Sequence, residues 1–228
     1  KGSGKTILAE YFRKKSINEP CHFCDIRSYK DFRFHELVQL KTNDISPNEY
    51  ISIWEWVILL DFARMTLQDN GIDDNKLKNK LDKFFKDNHY SVSIDSQKII
   101  EITKSNKIKG EAFHIGGELS ESKKYSSTTY LNYLEDLKET VFGLLRNSES
   151  RYTIFYDELD DRFRDEETYK NSIISLLKAA DSINLKLLEF GSHSKVCILL
   201  RTDIFSILND PDLNKLKTDN SIYLEWGN

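Results

Sequence analysis

The first six residues, Lys1-Gly2-Ser3-Gly4-Lys5-Thr6, run straight into the helix-prone stretch Ile7 to Lys15. They form the second half of the pattern G-x-x-x-x-G-K-[ST], and few short patterns constrain a fold so tightly. A loop of this kind joins a buried strand to a helix, which calls for an α/β architecture. Gly2, Ser3 and Gly4 let successive backbone N–H groups turn inward. The start of the next helix adds the positive end of its dipole, and together these cradle phosphate. Lys5 would reach the β- and γ-phosphates as a point charge, and the Thr6 hydroxyl would ligand Mg²⁺. Composition alone produces so short a run in roughly one chain of this size in a hundred. It therefore needs a partner motif.

The first glycine of the pattern and the strand that feeds the loop would precede Lys1, and the sequence has no initiator Met. The expectation is a piece of a longer protein.

At 228 residues, 39% of them hydrophobic, the chain can build one large domain with a real core. Charged residues make up 31% and the formal net charge is −4, with a pI near 5.8. That balance does not indicate a nucleic-acid surface, which needs clustered Lys and Arg. No apolar run is long enough to span a membrane. Three cysteines, an odd number, point to a reducing compartment, and a cytoplasmic location is expected.

The partner motif is Tyr152-Thr153-Ile154-Phe155-Tyr156 followed by Asp157 and Glu158. Five β-prone residues read as a buried central strand, and two carboxylates follow at its end. This segment resembles a Walker B motif, and the resemblance implies Asp157 as the metal ligand opposite Thr6 and Glu158 as the residue that polarises the water attacking the γ-phosphate. Asp160, Asp161, Asp165, Glu166 and Glu167 exceed what one ion requires and read as a solvated helix start. A third apolar stretch, Lys195 to Leu200, ends in Arg201 and Thr202, which occupy the place that resembles the γ-phosphate sensor of ATPases with a catalytic Glu beside the Walker B Asp.

Together these segments resemble an additional-strand, catalytic-glutamate P-loop ATPase of the AAA+/STAND neighbourhood. More narrowly, Leu200-Arg201-Thr202-Asp203-Ile204-Phe205, Asn214 to Asp219 and Ile222 to Trp226 resemble bacterial P-loop ATPases associated with phage-defence loci. The resemblance implies a P-loop three-layer sandwich with a mostly parallel sheet, without the N-terminal strand and the C-terminal lid whose arginine would act as a second sensor. It also implies ATP as substrate, Mg²⁺ as cofactor, self-association and a protein effector. An arginine finger from a neighbouring subunit belongs to this class, with Arg146, Arg151, Arg162 and Arg164 as unranked candidates.

Residues 1–27 and 129–228 are expected to form the ATPase core, and 28–128 a mostly helical insertion. In it, Ser46 and Pro47 would open a long buried helix from Asn48 to Gln68. An amphipathic helix would follow from Lys76 to Lys86, with Trp54 and Trp56 as core anchors. Ser91 to Gly117 mixes a short helix with β-like alternation at Ala112 to Ile115. Further elements are a strand over Cys21–Ile26, helices over Tyr130–Leu145 and Glu166–Phe190, and a last strand over Ser221–Trp226. Cys21 and Cys24 lack a second ligand pair for zinc and read as a core or loop pair. Gly116-Gly117 lacks the serine of a transporter signature, and His114 and His193 are weak candidates for phosphate contacts.

The leading expectation is Mg-dependent ATP binding and hydrolysis driving a conformational or oligomeric switch, in a setting such as anti-phage defence. The alternative is a nucleotide-gated interaction module that recruits an effector with little or no turnover. A small-molecule kinase would usually lack the Glu beside Asp157.

Overall fold

A computed structural model describes residues 4–30, 48–91, 96–104, 108–109, 130–159 and 167–224. Over them the chain is α/β. Three parallel strands, β1 (His22–Ser28), β2 (Arg151–Asp157) and β3 (Lys195–Ile198), form a sheet in the order β1-β2-β3. The predicted strands at 21–26, 152–156 and 195–200 correspond to these, and the most apolar of them lies in the middle. Parallel strands need helical crossovers, and helices cover both faces of this sheet.

One face carries α1 (Lys5–Ser16), where Ala9 packs on Phe155 and Leu199, with Cys24, Ile26 and Cys197 around them. Gly4 precedes this helix at φ 70°, a left-handed conformation that glycine adopts without cost. Arg13, Lys14 and Lys15 close its last turn, where the dipole favours cations.

The other face is covered by α2 (Asn48–Gln68) and α6 (Glu167–Glu189). α2 is apolar on nearly every side, as a helix buried all round must be. Trp54 and Trp56 are both fully buried. Trp54 donates from Nε1 to the Ser172 carbonyl of α6 at 2.9 Å, and Trp56 to Thr103 Oγ1 at 3.2 Å. Around α2 stand α3 (Asn75–Asp87), α4 (Ser96–Lys104) and α5 (Leu131–Arg146). The Asp74 carboxylate caps α3 by accepting from Leu77 N at 3.0 Å. Two short helices, α7 (Thr202–Ile207) and α8 (Leu213–Asn220), follow β3.

Alternation along β2 explains its central place. Tyr152, Ile154 and Tyr156 turn into the helical core and Phe155 toward α1, all of them buried. The strand expected from Ser221 is not formed over Ser221–Leu224, which has no regular structure. Among the described residues no strand pairs with it. Ile222 is 90% exposed, and an apolar, β-prone sequence becomes a strand only where its backbone groups find a ladder. Residues 225–226 of that expectation, the alternation at 112–115 and the caps Ser46 and Pro47 lie outside the described residues.

Candidate functional site

In parallel sheets the C-terminal strand ends and the helix starts face the same rim, and the candidate residues gather there. Lys5 and Thr6 form the first turn of α1. Thr6 Oγ1 donates to Asp157 Oδ2 at 2.6 Å, a contact between residues 151 positions apart. Asp157 ends β2 and is almost fully buried. Its other oxygen accepts the Glu158 amide at 2.8 Å, and its carbonyl accepts the Tyr29 amide at 2.9 Å. The carboxylate is thus held on both sides.

Glu158 takes φ 60°, the left-handed region, which costs an L-residue with a Cβ about 1–2 kcal/mol. Its Oε2 accepts a short hydrogen bond from Ser28 Oγ. Ser28 ends β1 and lies opposite Asp157 in the ladder, so the two strands bring the serine and both carboxylates to one spot. Backbone strain clamped by a specific contact is characteristic of functional sites.

Gly4, Lys5, Thr6, Asp157, Glu158, Arg201 and Thr202 all border one open groove of about 1530 Å³. Ordinary ligand pockets span about 300–1,000 Å³; this one is larger because it continues past β3 to residues of α6 and α8. Arg201 precedes α7, and its guanidinium is paired with Asp203 through Nε to Oδ1 at 3.0 Å and a second, shorter bond. That pairing holds the exposed Asp203 carboxyl below its ordinary value. Thr202 begins the helix.

Gly2 and Ser3 lie outside the described residues, as do Arg162, Arg164, His114, Gly116 and Gly117. Of the remaining finger candidates, Arg146 stacks 4.5 Å above the Phe190 ring. Arg151 starts β2, at the opposite end from Asp157, and binds Glu19 at 2.7 Å. His193 precedes β3 and borders the far part of the groove. Cys21, Cys24 and Cys197 are free thiols. Burial pushes Cys24 and Cys197 up to about 11, the direction of inert core cysteines.

Among the described residues no group of three or more His, Cys, Asp or Glu side chains could hold a metal. The Thr6 hydroxyl and the Asp157 carboxylate are nonetheless hard oxygen donors held together. This donor set suits Mg²⁺, which typically takes one or two protein oxygens and completes its shell with phosphate and water.

Sequence reasoning missed Ser28. Its only signal was a polar residue near the end of a predicted strand, and which strand end would face Glu158 depends on the pairing register. Compared with known proteins, the chain matches no family model, no curated protein and no solved structure.

Proposed function

We propose that this chain binds a nucleoside triphosphate with Mg²⁺ on the Gly4–Thr6 turn and hydrolyses it, in the manner of a P-loop ATPase with the three-layer sandwich of that class. The observation that carries the reading is the Thr6–Asp157 contact. It joins the Lys5–Thr6 helix start to the carboxylate end of β2, segments 151 residues apart in sequence, which supports reading them as parts of one site.

On this reading the backbone around Gly4 and the ammonium of Lys5 hold the phosphates. Thr6 and Asp157 would hold Mg²⁺, which supplies charge neutralisation at the phosphates when bound. Glu158, one residue beyond, orients and deprotonates the attacking water once it leaves Ser28. Arg201 is in reach of the same groove and senses the γ-phosphate by exchanging Asp203 for it; Thr202 is the alternative sensor. The work done is a conformational or oligomeric switch, coupled to self-association and a protein effector. The setting is cytoplasmic and of the phage-defence kind that the motif resemblance implies.

A second reading has its own support. With Glu158 tied to Ser28, the chain would bind ATP and turn over little, acting as a gated interaction module. ATP binding and turnover of the intact protein, measured for the wild type and Glu158→Gln, separate the two. Binding by both with turnover lost in the variant supports the ATPase. Binding by both without wild-type turnover favours the gated module. Absence of ATP binding ends both readings.

A further inference from the structure

The strand ends that carry the candidate site are tied, one residue upstream, to a single buried carboxylate on another element. Asp61 lies within α2 and has no exposed surface. Its Oδ2 accepts from the Tyr156 hydroxyl at 2.6 Å. Its Oδ1 stands 2.6 Å from Arg27 Nη2. Tyr156 immediately precedes Asp157, Arg27 immediately precedes Ser28, and Ser28 and Asp157 face each other in the ladder. One side chain of α2 therefore holds both strands at the last residue before each enters the site.

The surroundings reinforce this. Arg64, one turn further along α2, is paired with Asp25 of β1, and Arg27 Nε lies 3.4 Å from Asp25. Two guanidiniums and two carboxylates thus balance in a nearly closed space. Burial disfavours the charge on Arg27, but Asp61 and Asp25 outweigh it and hold the guanidinium above its ordinary value. Burial, with Asp61 beside it, likewise raises the Tyr156 hydroxyl well above its usual range. Beyond the node, Tyr29 packs between Trp54 of α2 and Tyr156, with ring centroids 5.6 and 5.3 Å away, and donates its amide to Asp157.

A buried ionic node is a poor way to gain stability, because desolvation offsets most of the attraction and apolar residues would serve as well. Trp54, Ile58 and Phe62 already fix α2 by burial. What directional charges add is a defined relative position of the three elements.

We propose that Asp61 is a positioning residue for the candidate site: through Arg27 and Tyr156 it sets the ends of β1 and β2, so that a displacement of α2 is transmitted to the Ser28–Glu158 contact. The kinetic consequence rests on the ATPase reading; the structural consequence does not.

The test compares Asp61→Asn with Trp56→Phe, which perturbs α2 on its side toward Thr103 rather than toward the strands. Amide exchange at Tyr29, ATP affinity and kcat are measured on the full protein. In Asp61→Asn, Tyr29 exchange rises and kcat falls by about tenfold each, while ATP affinity stays within about twofold and Trp56→Phe moves neither quantity. Combined with Ser28→Ala, the effects on kcat are not additive, as expected for residues acting in one chain of contacts. Should Asp61→Asn fail to fold, Tyr156→Phe replaces it, since it removes one contact to Asp61 and leaves the ion pairs. Equal behaviour of the node variant and Trp56→Phe overturns the proposal, as does a fall in kcat without altered Tyr29 exchange. Altered exchange in a protein that never binds ATP supports Asp61 as the positioning residue and rejects the ATPase reading instead.

Discussion

Glu158 concentrates the residue-scale physics of this protein. It is held in a left-handed conformation, by its own amide on Asp157 and by Ser28 on its carboxylate. If that conformation is retained for function rather than stability, Glu158→Gly raises stability by about 1 kcal/mol. For a chain of this size that is about 2–4 °C in Tm, with ATP turnover abolished. A lower Tm would mean that the Ser28 contact outweighs the backbone strain. Ser28→Ala tests the clasp from the other side. It is expected to leave ATP affinity unchanged and to shift kcat by about tenfold: upward if the contact sequesters Glu158, downward if it aims it. An unchanged kcat would mean that Glu158 does not act through this contact. The identity of Glu158 as an acidic candidate was legible from the five β-prone residues before it. Its backbone strain and its serine partner were not, because both arise from the register of strands 123 or more residues apart in sequence.

At the scale of elements, Asp69 is the junction where α2 ends, α3 begins and β2 enters the core. It accepts from the Gly71 amide at 2.7 Å and the Tyr152 hydroxyl at 2.5 Å, and its carbonyl accepts from Lys78 Nζ at 2.5 Å. Burial raises the Asp69 carboxyl, but the hydrogen bonds from Tyr152, Ser150, Gly71 and Ser148 together outweigh it, and its pKa lies below the ordinary value. A depressed folded pKa gives stability that is fully present above the unfolded value near 3.9 and is lost as pH falls toward the folded value. Acidification below about pH 4 should therefore lower Tm, with a shallower dependence in Asp69→Asn. Equal slopes in the two proteins would assign the acid sensitivity to other carboxylates. The boundaries of α2, α3, α5 and α6 were legible to within a residue or two, since α2 is one long apolar run and the other three carry apolar periodicity. The strand expected at 221–226 failed over its described part, because alternation in six residues cannot specify a pairing partner.

For the whole molecule, the helices at 48–104 do not pack as a separate body. Residues of α2, α3 and α4 share one continuous hydrophobic cluster with β2, α5 and α6. One core predicts one cooperative transition. Leu60→Ala, at a fully buried position of α2, should cost about 2–5 kcal/mol. Tryptophan fluorescence and far-UV circular dichroism should shift together, whereas two separated transitions would mean that the helical segment unfolds on its own. No helix among the described residues is long and apolar enough to cross a membrane. By itself the sequence determined the three strands, the longer helices and the two halves of the candidate site: glycines that permit a left-handed turn, a cationic and hydroxylic helix start, and an apolar strand ending in carboxylates are all short-range chemistry. Only the tertiary structure decided that Thr6 meets Asp157, that Ser28 holds Glu158, and that Asp61 pins both strands from α2. Those contacts depend on strand order, register and helix rotation, which are set by the packing of the whole core and have no local signature.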